Sequence, residues 1–509
     1  YSGTDRAGNP AVLAADIAAC VPLNPFGDGN ISDAAKRYLL LPTTAAGKAT
    51  QLQITGFVNG DLSQLFELPG GPIGFAIGGE YRRETLTYTL DPVTQAGYAF
   101  YNAIPSFNPP SFEVKEAFGE ISIPLLKDIP FFNELTLTGS GRVADYKGSV
   151  GTVFAYSGLV TWRPVRDLLF RGGYSRSVRS PYLGDLFSPQ SQNFTPAPND
   201  PCSARNLAAG SSTRSANCTA AGRPAAYDFV YTSSLEILSG GNPNLQEETS
   251  TSYTIGGVLT PRWIPGLSVS FDYYNITVDN VIASVTAQNI LNLCYDSPTL
   301  NNPFCGLFQR ASAAGGPRGE QQFRVLEGSL LQSAANFAKR KAVGFDVNVA
   351  YNRDLGFAQV AFKGIYTHVI QRSNFENPAL ANFENVLNGE LGDPNDQFNL
   401  SADFKFGKVT LGGSFRWIGP MFINTFEDYN ALNGLPPQNT DYAEIRQYPI
   451  VTYVDLRASY DVTERFKLDI GMTNVGNTAP PFGLTGVGAG SAIYDNRGRF
   501  TYVGVTAKF

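Results

Sequence analysis

Apolar and polar residues alternate with a period of two through most of this chain. At its C-terminal end Thr501, Val503, Val505, Ala507 and Phe509 fall on one face, and Phe500, Tyr502, Gly504, Thr506 and Lys508 on the other. Just upstream, Phe466, Leu468, Ile470 and Met472 alternate with Lys467, Asp469, Gly471 and Thr473, and Val454, Leu456, Ala458 and Tyr460 alternate with Asp455, Arg457, Ser459 and Asp461. The same pattern returns at Val409–Trp417, Leu400–Phe406, Phe345–Tyr351, Leu267–Tyr273, Phe154–Trp162, Leu135–Gly139 and Ile73–Tyr81. Successive side chains of a strand point to opposite faces, so each segment predicts a strand with one apolar and one polar face. About fifteen such segments occur, each of roughly ten residues, the length that crosses a bilayer as a tilted strand.

The connections sharpen this reading, because short and long ones alternate. Asp354-Leu355-Gly356, Phe406-Gly407-Lys408, Asp461–Arg465 and Pro164–Asp167 are tight, whereas 90–111, 185–247, 284–337, 373–396, 421–449 and 475–497 are long. A soluble sandwich also alternates its strands, but it rarely places loops of about 50 residues repeatedly on one side. Tyr81, Tyr156, Trp162, Trp417 and Tyr460 lie near strand ends on the apolar faces, as interfacial aromatic girdles do. The opposite faces carry Glu120, Lys405, Asp455, Arg457, Lys467 and Asp469, which suit a wet lumen better than a dry core. The expected fold is all-β: a transmembrane antiparallel β-barrel with short periplasmic turns and long extracellular loops.

Composition narrows the function. The 12% aromatic content, 52 Gly and only 16% charged residues describe strands and turns. No run of ~20 apolar residues is present to form a membrane helix. A net charge of −6 argues against nucleic acid as partner. His368 is the only histidine; it falls on an outward face beside Tyr366 and Ile370, so a multi-histidine metal site is impossible and a histidine-based hydrolase would need the opposite register. An enzyme is therefore not expected, nor a cofactor. Five cysteines sit in polar loop segments, and their spacing pairs Cys202 with Cys218 and Cys294 with Cys305, leaving Cys20 over.

Several phrases together resemble one family, the TonB-dependent receptors of the Gram-negative outer membrane. Tyr174-Ser175-Arg176-Ser177-Val178-Arg179-Ser180-Pro181-Tyr182-Leu183-Gly184-Asp185-Leu186-Phe187 resembles that family's strand-to-loop motif, and Gly241–Glu248 the return that follows it. Thr473–Asn477 and the terminal Tyr502–Phe509 are similar to its last loop entry and last strand. Terminal Phe509 also looks like the signal read by the barrel assembly machinery. The resemblance spans residues 50–509 and implies about the last 15 strands of a 22-stranded barrel. Residues 1–49 then fall in an extracellular loop segment, and the plug domain, the TonB box, the first strands and any signal peptide are expected upstream of Tyr1.

What the resemblance implies is an active-transport receptor. It would import a scarce nutrient (a siderophore, cobalamin or an oligosaccharide) with energy from the TonB complex, which acts through the plug. The other partners implied are outer-membrane lipid and the ligand itself. A passive diffusion porin is the alternative. Arg171 and Arg179 share the lumen face of their strand and are candidates to meet an anionic ligand or plug carboxylates; the competing expectation pairs them with lumen acids such as Glu247 or Glu248. With strands near Gln51–Leu62 and Arg499–Phe509 as two edges, the piece alone is expected to be neither a closed barrel nor a competent importer.

Overall fold

In the computed structural model, residue 14 and residues 17–99, 102–377, 380, 382–439, 445–488 and 490–508 are described. Phe509 lies outside them. Fifteen strands follow one another as antiparallel neighbours in a single curved sheet. They are β1 (Ala45–Asp61), β2 (Gly74–Leu90), β3 (Phe112–Ile129), β4 (Phe132–Tyr146), β5 (Gly151–Val165), β6 (Leu168–Arg179), β7 (Glu248–Leu259) and β8 (Leu267–Ser284). The sheet continues with β9 (Leu330–Asp354), β10 (Gln359–Phe375), β11 (Asp396–Phe406), β12 (Val409–Ile418), β13 (Val451–Asp461), β14 (Phe466–Thr473) and β15 (Phe500–Ala507). Each strand from β2 to β14 pairs with the strand before it and the strand after it. Among the described residues β1 and β15 have one strand neighbour each and are not paired with each other, so the sheet is open.

The first strand starts at Ala45, earlier than expected. The run Ala45-Ala46-Gly47-Lys48-Ala49 carries no apolar alternation to mark it, yet it completes a continuous ladder with Leu86–Leu90 of β2. Before it, helix Asp33–Leu39 begins at Ser32, whose hydroxyl caps the Ala35 amide. The bends fall into two rims. One holds turns as short as Pro130–Phe131, Arg166–Asp167 and Gly407–Lys408; the other holds the long loops, and β1 begins at that long-loop rim.

Side chains sort by face as the alternation requires. Outward residues are large, apolar and open: Val503 is 74% exposed, Ile54 61% and Ile255 66%. Trp162 stacks on Phe170, and Tyr156, Tyr174 and Tyr253 form a chain of tilted rings on this outer face. A soluble monomer does not expose so continuous an apolar surface, whereas a strand wall in lipid must.

A small buried cluster of Val114, Ala144 and Val153 lies within β3–β5, and the two larger cores lie in the loops above the wall. Cys202, Cys218, Leu235, Ile237, Ile290, Leu291, Val325 and Leu330 belong to one, drawn from segments 180–247 and 285–329 and the first residue of β9. Ile418, Met421, Val451, Tyr453 and Tyr494 form a second, over the last strands. In the first, Leu330–Ser333 at the head of β9 runs parallel to loop strand Leu235–Gly240, and helix Ala287–Asp296 packs Ile290, Leu291, Leu293 and Cys294 inward. That helix falls within a segment read from sequence only as a long loop.

Candidate lumen and loop site

On the polar face of the wall, carboxylates and guanidinium groups bind one another across strands. Arg171 of β6 reaches over β7 to Asp272 of β8, with Nε to Oδ1 at 2.8 Å and Nη2 to Oδ2 at 2.6 Å. Gly256 of β7 stands between them in register, and a Cβ there would collide with the Asp272 carboxylate. The arrangement repeats on the far side. Arg457 of β13 passes over Gly412 of β12 to Asp403 of β11, with Nη2 to Oδ2 at 2.6 Å, and a Cβ at Gly412 would fall on both partners. A glycine at these positions is what lets a bidentate pair bridge three strands.

Arg179, at the top of β6, binds Glu248 at 2.7 Å and Asp185 at 3.2 Å. The structure thus places Arg171 and Arg179 on the lumen face and engages both with carboxylates, Asp272 and Glu248 of the wall and Asp185 of the short helix that follows β6. Arg142 with Glu116 at 2.8 Å continues the pattern across strands, and Lys467 pairs with Asp469 along β14 at 3.0 Å.

One stretch of the wall departs from it. A recess of about 660 Å³ lies between the lumen face of β10–β13 and segment 486–497, and Lys363, Arg416 and Arg497 all line it. None of the three makes an ion pair with a carboxylate among the described residues. Arg416 instead lies over the Tyr453 ring at 4.5 Å. Of the two acids in the recess, Asp455 accepts from Ser414 Oγ at 2.9 Å and the Asn474 amide at 2.8 Å, and Asp495 accepts from the Arg497 amide at 2.9 Å. A set of cations without bound carboxylates in a concave space is suited to an anionic ligand. Reading along the chain missed these residues because Lys363 and Arg416 each stand alone in a strand and Arg497 lies in the loop before the last one. Register brings Lys363 opposite Ser401, Ser401 opposite Ser414, and Arg416 two residues beyond Ser414.

His368 faces outward, 2.7 Å from Asp396 and 5.1 Å from the Phe345 ring, away from the recess. No group of three or more potential metal ligands occurs among the described residues.

Above the wall, the first loop core is built on a buried ion pair. Arg310 meets Asp200 with Nη1 to Oδ2 at 2.8 Å and Nη2 to Oδ1 at 2.9 Å. Its guanidinium lies between the rings of Phe323 at 4.4 Å, Tyr295 at 5.1 Å and Phe308 at 5.7 Å. Burial pushes the Asp200 carboxyl up, but Arg310, the Tyr227 hydroxyl and the Cys202 amide together hold it below the usual carboxylate range. Disulfides flank this pair: Cys202–Cys218, with Cα atoms 5.5 Å apart, and Cys294–Cys305, at 4.7 Å. Cys20 is a free, exposed thiol.

With this geometry in place, comparison with known proteins gives a consistent picture. The family model described as TonB dependent receptor-like, beta-barrel matches residues 22–475. The fold is similar to that of a ferric enterobactin receptor mutant from Pseudomonas aeruginosa in complex with enterobactin, at 18% identity and a TM-score of 0.58, covering 91% of this chain and 55% of that one. It is also similar to the siderophore receptor PirA from Acinetobacter baumannii, at 13% identity and a TM-score of 0.57, covering 91% of this chain and 55% of that one. The chain thus spans about half the length of the solved structures it matches. No curated protein matches it in sequence.

Proposed function

The chain belongs to the TonB-dependent receptor β-barrel family, a family of outer-membrane receptors and transporters and not of enzymes, and we propose that it serves as the wall and ligand-gathering rim of an active importer there. The observation that carries the reading is the recess holding Lys363, Arg416 and Arg497 without carboxylate partners, on the lumen face directly below the long loops. Every other cation named above on that face is spent on a neighbour; these three are left for something else. Their charge favours an anionic cargo, such as a ferric siderophore, over a neutral oligosaccharide. Arg171 and Arg179 act in this reading as braces of the wall, because their donors are committed to Asp272, Glu248 and Asp185. Energy from TonB and a plug within the lumen belong to the same proposal and rest on family membership.

The test is equilibrium binding of a ferric tris-catecholate to the outer-membrane-embedded protein. Hydrogen bonds to charged groups contribute about 1.5–3 kcal/mol each, so Lys363→Gln with Arg416→Gln is expected to weaken binding by at least about tenfold, while Lys405→Gln, at the opposite end of the wall, leaves it unchanged. Binding unaltered by the double substitution would place the site elsewhere.

A further inference from the structure

Just above the outer aromatic belt, four residues share one rung of the sheet. Arg176 of β6 is in register with Thr251 of β7, Thr251 with Thr277 of β8, and Thr277 with Lys341 of β9. Arg176 alternates with Tyr174, which packs on Tyr156 and Tyr253, so the rung stands on the outer face, level with Tyr156 and one step beyond Tyr174 and Tyr253. Three strand spacings separate the two cations, about 14 Å. Between them lie only two threonines, whose small side chains leave a shallow shelf faced with hydroxyl groups.

Neither Arg176 nor Lys341 makes an ion pair among the described residues. Asp279, one step further from the belt on β8, has a carboxylate on the same face and pairs with neither. Glu384 closes the rung beyond β10, where Ser373 Oγ and Gln371 donate to it at 2.6 and 2.8 Å. The outer rim of β2–β4 is arranged differently. There Arg83 and Lys147 bind Glu113 at 3.7 and 3.0 Å, and Lys115 stands in register with Asp145. Outward cations are thus neutralised in one sector and left unpaired in another.

We propose that the Arg176–Thr251–Thr277–Lys341 shelf is a binding site for the anionic sugar headgroup of an outer-leaflet glycolipid. The proposal rests on the membrane reading of this wall. Tyrosines at the belt mark the boundary where acyl chains end and headgroups begin. Cations held at that height attract anionic headgroups. Arginine offers a planar fork to a phosphate or carboxylate, lysine a point charge, and the threonine hydroxyls both donate to and accept from sugar hydroxyls. Two cations this far apart suit a headgroup with two anionic groups joined by a sugar core better than a single phosphate.

The test uses the protein reconstituted in phosphatidylcholine vesicles, with a bis-phosphorylated disaccharide lipid (lipid A), phosphatidylglycerol and inorganic phosphate as probes. Lipid A is expected to bind more tightly than phosphatidylglycerol. Arg176→Gln and Lys341→Gln each weaken it about fivefold and together more than tenfold, with the loss shrinking at high salt. Lys147→Gln, in the neutralised sector, changes nothing. Thr251→Trp, which fills the shelf and keeps both charges, also weakens lipid A binding. The proposal is overturned if the double variant binds within twofold of the parent, if Lys147→Gln matters as much, or if phosphatidylglycerol or inorganic phosphate shows the same dependence on these two residues. Correct insertion is scored separately by heat-modifiable gel mobility. A protein that inserts and shows no preference overturns the shelf alone, whereas one that never inserts overturns the membrane reading with it.

Discussion

The two loop cores above the wall solve the same problem by different means. Each must hold long connections in a fixed place over a sheet that offers only a rim to rest on. The first, between residues 199 and 330, is closed by two disulfides and centred on Asp200 and Arg310, both buried. The second has no disulfide among its described residues and relies on Ile418, Met421, Val451, Tyr453 and Tyr494, with the backbones of Gly392 and Gly490 in close approach next to Leu391, which packs against it. Both cores meet strand ends, at Leu330 in the first and at Ile418 and Val451 in the second, but covalent staples restrain only the first, and apolar packing alone holds the second. The recess with the unpaired cations lies under the second core, which contributes Tyr494 to its lining. The part of the rim expected to respond to ligand is the unstapled one.

Replacing Arg310 with Met should have the largest effect on this contrast. It strands the Asp200 carboxylate, and breaking a buried pair from one side costs about 3–5 kcal/mol. Hydrogen exchange should rise throughout 199–330 while Val451–Tyr453 keeps its protection. Next comes removal of Cys202–Cys218 by double serine substitution. A loop of about 15 residues loses about 3 kcal/mol of stabilisation on the chain-entropy account, so limited proteolysis should cut first between residues 203 and 226. If reduction opened both cores equally, the claim that they are independent would fail.

Met421→Ala tests the other side. Truncating a fully buried methionine costs about 2–5 kcal/mol, and the low end is expected here because the surrounding loops have room to settle. The readout is ferric catecholate binding, which should weaken, while protection around Asp200 stays constant. The smallest effect is on pH dependence, where the cores should move in opposite senses. Asp200 is held below its ordinary range, so its contribution is complete above about pH 4, the unfolded value, and is lost as pH falls towards the folded one. Burial raises Glu390, beside the second core, and neighbouring acids add to this against the Phe426 amide. It stabilises when protonated, and that contribution is lost as pH rises from its ordinary value of about 4.3 through the raised one. Exchange near Glu390, corrected for intrinsic rates, should therefore slow as pH drops from 6 towards 4, and exchange near Asp200 should quicken only below that.

The wall was legible because period-two alternation is local. Phe466–Met472 and Val454–Tyr460 announce their faces without reference to anything distant, and the four-residue turn Val462–Arg465 fixes their pairing. Lumen acids such as Glu247 or Glu248 could be suggested for Arg171 and Arg179, and Glu248 does bind Arg179. Asp272 could not be suggested for Arg171: it sits 101 residues away across an intervening strand, and the only local trace is the missing side chain of Gly256. The loop cores were opaque for the same reason. Asp200 and Arg310 are 110 residues apart, in segments whose composition reads only as polar loop. Helix Ala287–Asp296 is ten residues long, and its apolar positions acquire a direction only once Cys294 and Cys305 are joined.

The account stands or falls on whether the protein is an energised receptor or an open pore. The direct measurement is accumulation of radiolabelled iron, supplied as a ferric tris-catecholate, by cells carrying the protein, over a range of concentrations with and without a protonophore. The account predicts uptake that saturates, stops when the proton-motive force is collapsed, and needs more ligand for half-saturation after Lys363→Gln with Arg416→Gln. Uptake that rises linearly with concentration and continues in the presence of the protonophore would contradict it and establish a passive pore.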